Sequence, residues 1–320
     1  MTFGKSYSSL VLACLISLAG CGEKRSTFRL LEPAQPFDQE IAEQLVEVFE
    51  NNSKHRIELV PLPERFETAL DALEAGYADL SLTSNAQPFR KGITTVMPLY
   101  PTVLHILYRR DRPDDSPEEL FRGATVAAGP AGSASRRLMT EILDTLDINE
   151  EAVTFVSDAG EPADVIVLYL PILPERVRTV MQESGAAGMY RFASFGEPAD
   201  IGTGSGIDRA VLLNPRLSPF VVPVRTYDDI PEEPVVTLAV DKLLVSRRDA
   251  DSTDVYDLIG EIRRLQPAFA AAYPMLFQHL SEEFDASRST FVLHPGAQAY
   301  TQRDEPTIYE RYSGIAEVLV

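Results

Sequence analysis

Two long extended segments interrupt an otherwise regular alternation of strands and helices, and they constrain the fold more than any other feature of the chain. The first reads TTVMPLYPTVLHILYRRD (residues 94 to 111) and the second VVTLAVDKLLVSRR (235 to 248). Before the first, STFRLLEP predicts a strand. FDQEIAEQLVEVFENN predicts an amphipathic helix with Ile41, Leu45, Val48 and Phe49 on one face. HRIELVPL predicts a second strand, ERFETALDALEAG a helix closing at Gly76, and residues 78 to 83 a buried strand. Between the segments the alternation restarts. Ser116, Pro117 and Glu119 form a capping-box start, followed by strand ATVAAGP and a helix over SASRRLMTEILDTLDI with Leu138, Ile142, Leu143 and Leu146 on one face. Strands AVTFVS and ADVIVLYL, helix PERVRTVMQESG and strand GMYRFASF come next, and helical patterns follow the second segment.

Such alternation predicts an α/β chain whose sheets are doubly wound and mostly parallel. Interrupted twice, it predicts two lobes, the second inserted in the first, joined by two extended hinge segments with a ligand in the cleft. The expected divisions are 21 to 110 for the first part of lobe 1, 111 to 234 for lobe 2, and 235 to 320 for the hinge return and the rest of lobe 1. The length of 320 residues suits about two domains.

Residues 1 to 20 predict a signal peptide. Lys5 precedes the apolar SLVLACLISLAGC, which has the length of an h-region and is too short to span a bilayer. It ends in Leu18-Ala19-Gly20-Cys21, which resembles the lipobox of bacterial lipoproteins. That resemblance implies cleavage before Cys21, its acylation, and a chain lipid-anchored to a bacterial membrane in the periplasm or at the cell surface. Cleavage would leave Cys21 the sole cysteine, so no intramolecular disulfide is expected. The formal net charge of −19 and the absence of a Lys/Arg run argue against nucleic acid as a partner. The terminal YERYSGIAEVLV reads as a helix.

TVAAGPAGSASRRL (125 to 138) runs from a strand through a glycine-rich turn into a helix. Two readings fit. Backbone N–H groups and the helix dipole converge there and suit a carboxylate or phosphate, with Ser133 and Ser135 as hydroxyl donors. Alternatively Ser133 caps the helix and the glycines turn the chain. The lysine and spacing of a nucleotide P-loop are absent. Arg136 and Arg137 are adjacent and cannot face one site, and both are read as secondary to the serines.

The same stretch resembles the strand, Gly-Pro and Gly-Ser-Gly-Thr segment of the TAXI family of TRAP-transporter solute-binding proteins. AGYADLSLTSNAQ, VPVRTYDDIPEEPVVTLAVDKLLVSRRD and FVLHPGAQAYTQ resemble further blocks of that family in the same order, over roughly residues 40 to 302. The resemblance implies a periplasmic-binding-protein type II fold. It implies capture of a small carboxylate-bearing solute, a glutamate-like amino acid or organic acid, for a TRAP-type membrane permease. The residues it places at the ligand are Ser84 and Asn85 in the polar turn, Gly132, Ser133 and Ser135 in the Gly-Ser turn, and Thr226 and Tyr227 in the Thr-Tyr block. Tyr169, before Pro171 at the end of a buried strand, is added from this sequence. No cofactor is implied.

The sequence departs from the family in three places, one of them Ser135 where the family has threonine. Where the family opens with Gly-Thr-Gly this chain has LEPAQPFD, whose proline and larger side chains prevent the close backbone approach that glycine allows. Arg225 stands where the family has glycine; of two readings, a bidentate partner for a second carboxylate or a solvated charge, the second is preferred. The departures keep open a second reading, a sensor or interaction lipoprotein on the same fold with altered or lost ligand binding. IGTGSGID (201 to 208) reads as a loop, and His294 as a structural hydrogen-bonder in a Pro-Gly turn. His55, His105, His279 and His294 lack metal spacing, and neither Ser133 nor Ser205 satisfies G-x-S-x-G, so nothing in the sequence favours an enzyme.

Overall fold

A computed structural model describes residues 26 to 113, 116 to 157, 162 to 183, 188 to 278, 280 and 285 to 303. The signal peptide, Cys21 and the terminal YERYSGIAEVLV lie outside the described residues.

The first half opens with β1 (Thr27–Leu31), α1 (Pro36–Asn52), β2 (Arg56–Val60), α2 (Ala69–Glu74) and β3 (Leu80–Ser84). Pro36 starts α1, and Ile41, Leu45, Val48 and Phe49 form its buried face, as the periodicity predicts. The second helix is shorter than expected: a Thr68–Asp71 capping box starts it only at Ala69. The long β4 (Ile93–Arg109) leads into α3 (Pro117–Phe121), β5 (Thr125–Ala127), α4 (Ala134–Thr145), β6 (Thr154–Val156), β7 (Val165–Leu170), α5 (Pro174–Glu183) and β8 (Tyr190–Phe192). There follow α6 (Gly206–Leu213), β9 (Leu217–Val222) and the long β10 (Val235–Arg247). The chain then closes on α7 (Ser252–Arg264), α8 (Gln266–Ala272), α9 (Pro274–Phe277) and α10 (Pro295–Thr301).

The α/β class is observed, and the two expected hinge segments are themselves strands. β4 and β10 pair antiparallel from Ile93↔Arg247 to Val103↔Ala239, so that one mixed sheet, ordered β2-β1-β3-β10-β4-β7-β5-β6, runs through both halves. Two register shifts, between Lys242 and Leu243 and between Leu244 and Val245, lie opposite the Thr95 to Tyr100 stretch of β4. Bulges at such points bend and twist a ladder, here beside the crossover from one half to the other.

Side chains alternate across both faces. On one face Phe28, Leu30, Leu80, Leu82 and Leu244 pack with α1, α7 and α8, while Leu104, Ile106, Val165, Val167 and Val236 pack with α3, α4 and α6. On the other, Leu31, Leu243 and Val245 pack with α2, and Val103, Leu107, Ile166 and Leu168 with α5. Helices therefore cover both faces in both halves, which explains the unbroken apolar runs of the central strands.

Candidate functional site

Strand direction locates a cleft. β1 and β3 end at Leu31 and Ser84, beside the point where Lys242 pairs with Tyr100. β5 and β7 end at Ala127 and Leu170, beside Val103. The carboxyl ends of parallel strands from both halves thus converge on the crossover, where open α/β sheets place ligands.

On the face covered by α1 and α4, the floor holds Ser84, Tyr100, Lys242 and Tyr169. The Ser84 hydroxyl lies 2.8 Å from the Tyr169 phenol, joining β3 to β7. Burial pushes the Tyr169 phenol well above its ordinary pKa, so it is neutral and serves as donor or acceptor. Beside it the Lys242 ammonium lies 2.6 Å from Asp38 in the first turn of α1, and the Tyr100 phenol donates to the same carboxylate at 2.9 Å. Both members of the ion pair are 8% exposed. Burial also raises the Tyr100 phenol's pKa, with the Asp38 charge adding to it. The stretch LEPAQPFD therefore contributes a carboxylate, that of Asp38, to the floor.

The opposite wall is the turn into α4. Gly129 and Gly132 have φ of 83° and 81°, and a Cβ on Gly129 would stand 2.9 Å from the Ser135 hydroxyl. Ser133 caps α4, accepting from the Arg136 N–H at 3.2 Å. Ser135 donates to the Ala128 carbonyl at 2.7 Å. Both serines sit at the cleft with their hydroxyls engaged by the turn itself. The adjacent arginines diverge, as expected. Arg136 lies over the Phe155 ring and pairs with Glu150, whereas Arg137 donates to the Gly132 carbonyl and, at 3.0 Å, to the Gln87 side chain of the first half. Its buried Nε has no partner among the described residues.

Three expected ligand contacts lie elsewhere. Asn85 ties the chain between 288 and 290 to β3, donating to the Arg288 carbonyl and accepting from the Thr290 N–H, each at 2.8 Å. Thr226 donates to the Pro223 carbonyl at 2.7 Å. Tyr227 packs with Val103, Leu107 and Leu168, on the sheet face opposite Tyr169, and its hydroxyl bonds His105 Nε2 at 2.5 Å. A Thr-Tyr dipeptide beside a turn carries no signal of which sheet face it will occupy. Arg225 is exposed, as expected, and has φ of 58°, the left-handed backbone that a glycine takes readily.

Nor does IGTGSGID offer an anion site. Its turn leads into α6 instead of remaining a loop, and the N–H groups of Gly202, Gly204 and Ser205 all donate to Asp208 at 2.8 to 3.0 Å. Those backbone bonds, first among them that from Gly202, hold the Asp208 carboxyl below its usual range. His294 is fully buried and caps α10, accepting from the Gly296 N–H at 3.1 Å, in keeping with its expected structural role. Among the described residues there is no group of three or more metal-ligating side chains, and no helix is long and apolar enough to cross a membrane.

With this geometry in place, comparison with known proteins adds one family. Residues 201 to 302 match the NMT1-like family. The match covers less than half of the chain and supports a periplasmic-type solute-binding fold. No curated protein matches. Similar solved structures include the effector binding domain of a BenM variant, at 12% identity over 76% of this chain and 96% of that one, with a TM-score of 0.43. A cysteine-to-serine mutant of OxyR from Corynebacterium glutamicum, bound to H2O2, is 14% identical over 79% of this chain and 66% of that one, with a TM-score of 0.45. The putative periplasmic sulfonate-binding protein SsuA from Methylobacillus flagellatus KT is 11% identical over 78% and 67% of the two chains, with a TM-score of 0.41. The strand order with its two crossings is that of the type II periplasmic-binding fold.

Proposed function

We propose that this chain is an extracytoplasmic solute-binding protein, lipid-anchored through Cys21, that captures a small carboxylate-bearing solute, an amino acid or organic acid, for a TRAP-type permease. The observation that carries the reading is Arg137. It leaves the first turn of α4, reaches Gln87 of the other half at 3.0 Å, and retains a buried N–H without a partner among the described residues. A guanidinium at a helix N-terminus, between two halves of a sheet, suits a carboxylate, and charge-assisted bonds of this kind are about twice as strong as neutral ones. The hydroxyls of Ser84 and Tyr169 offer a second polar contact on the floor. The anchor and the permease rest on the lipobox and on the resemblance to the TAXI family, and no chemistry beyond binding is assigned to the cleft.

The test is a thermal-shift screen of glutamate, 2-oxoglutarate, short dicarboxylates and other organic acids on protein verified free of carried-over solute. A ligand bound only by the folded state raises the melting temperature. No shift with any acid overturns the reading in favour of a sensor or interaction protein. Cys21→Ala should release the protein from membranes, and retention there would overturn the anchor.

A further inference from the structure

We propose that Asp38 restricts the solute to a single carboxylate, by occupying from within the chain the place that a second one would take. The inference rests on the solute-binding reading above and narrows it. Two cations belong to the cleft cluster just described, Lys242 on the floor and Arg137 on the wall, and they differ in what they have left to offer. The Lys242 ammonium is matched by Asp38 at 2.6 Å, in a pair of which each residue is more than nine-tenths buried. Asp38 is held in turn by the Tyr100 phenol at 2.9 Å and by its place in the first turn of α1, where a negative charge is favoured. Both its partners lie at the crossover, because Lys242 pairs in register with Ser84 of β3 on one side and Tyr100 of β4 on the other. Of the two, Arg137 alone keeps a buried nitrogen, Nε, that has no hydrogen-bond partner among the described residues.

A solute with one carboxylate can pair with Arg137 and place an uncharged end against Ser84 and Tyr169. A second carboxylate at that end would meet the Asp38 charge and find Lys242 already neutralised. Rejection of this kind rests on a repulsive group built into the site and not on a missing contact.

The experiment titrates calorimetrically each acid that registers in the screen beside its counterpart with one carboxylate more or fewer, starting with valerate against glutarate and norvaline against glutamate. The monocarboxylate should bind about tenfold or more tightly than its partner. In Asp38→Asn, which keeps the side-chain shape and frees Lys242, the dicarboxylate should gain about tenfold relative to the monocarboxylate. Asp38→Asn combined with Lys242→Gln should show no such gain. A dicarboxylate that binds the unsubstituted protein as tightly as its monocarboxylate partner overturns this inference alone, and that measurement needs no variant to fold. Silence from every acid in the screen overturns the solute-binding reading and this inference with it.

Discussion

The Ser84 hydroxyl, at the carboxyl end of β3, meets the Tyr169 phenol of β7 at 2.8 Å, so one hydrogen bond links the two halves across the crossover. Ser84 is oriented for it, because its oxygen also accepts from the Ala86 N–H at 3.1 Å. Two side-chain bonds thus tie the halves together, Ser84 to Tyr169 on the floor and Arg137 to Gln87 at the wall.

A double-mutant cycle of Ser84→Ala and Tyr169→Phe tests the fastening. Chemical denaturation should report a coupling of about 1 kcal/mol, the net worth of an ordinary intramolecular hydrogen bond. Strict additivity of the two substitutions would show that the halves are not joined there.

Arg137 and Ser133 should separate binding from folding, although they lie on the same turn of α4. Ser133→Ala removes the cap acceptor of the Arg136 N–H and should cost about 1 kcal/mol of stability. Arg137→Ala loses the bonds to Gln87 and the Gly132 carbonyl and should cost about 1 kcal/mol as well, but unlike Ser133→Ala it should weaken solute affinity about tenfold or more, as loss of a charge-assisted bond to a carboxylate requires. Equal affinity in Arg137→Ala would remove that residue from the site.

How much of this was legible in the sequence depended on whether the signal was local. The periodicity of α1, the Ser116 capping box and the two long apolar runs each announce an element through neighbouring residues, and these elements appear. Pairing of the two runs with each other joins residues more than a hundred positions apart, and no local pattern states it. The site divides the same way. Ser133 and Ser135 follow from a strand, a turn and a helix start. Asp38 and Lys242 form a pair only because α1 begins beside the middle of β10. One trace was present: VVTLAVDKLLV carries two adjacent charges inside an apolar strand, and a charge there must find a partner.

That partner relationship predicts an asymmetry. Lys242→Met alone leaves the Asp38 carboxylate buried with the Tyr100 phenol but without its cation, and should cost about 3 to 5 kcal/mol. Lys242→Met with Asp38→Leu removes both charges and should recover most of that loss, because the pair's desolvation cost disappears with its attraction. Urea titrations of the two variants provide the measurement, and a double variant as unstable as the single one would mean that the pair itself stabilises the fold.

His105 supplies a pH dependence on the opposite face of the sheet. Complete burial pushes its pKa from 6.5 down to about 4. Nδ1 faces the Leu168 carbonyl at 3.3 Å and so carries the proton, which leaves Nε2 to accept from the Tyr227 hydroxyl at 2.5 Å. The unfolded chain binds a proton at this residue below about pH 6.5, whereas the folded chain does so only near 4, so the unfolded state gains on the folded one across that interval. Stability should be unaffected by His105 above pH 6.5 and should fall by up to about 3 kcal/mol between there and pH 4. His105→Gln should be less stable at pH 7 and should lose less stability than the parent as pH is lowered from 6.5 to 4. Parallel stability curves for the two proteins over that range would show that the imidazole is not held neutral by the fold.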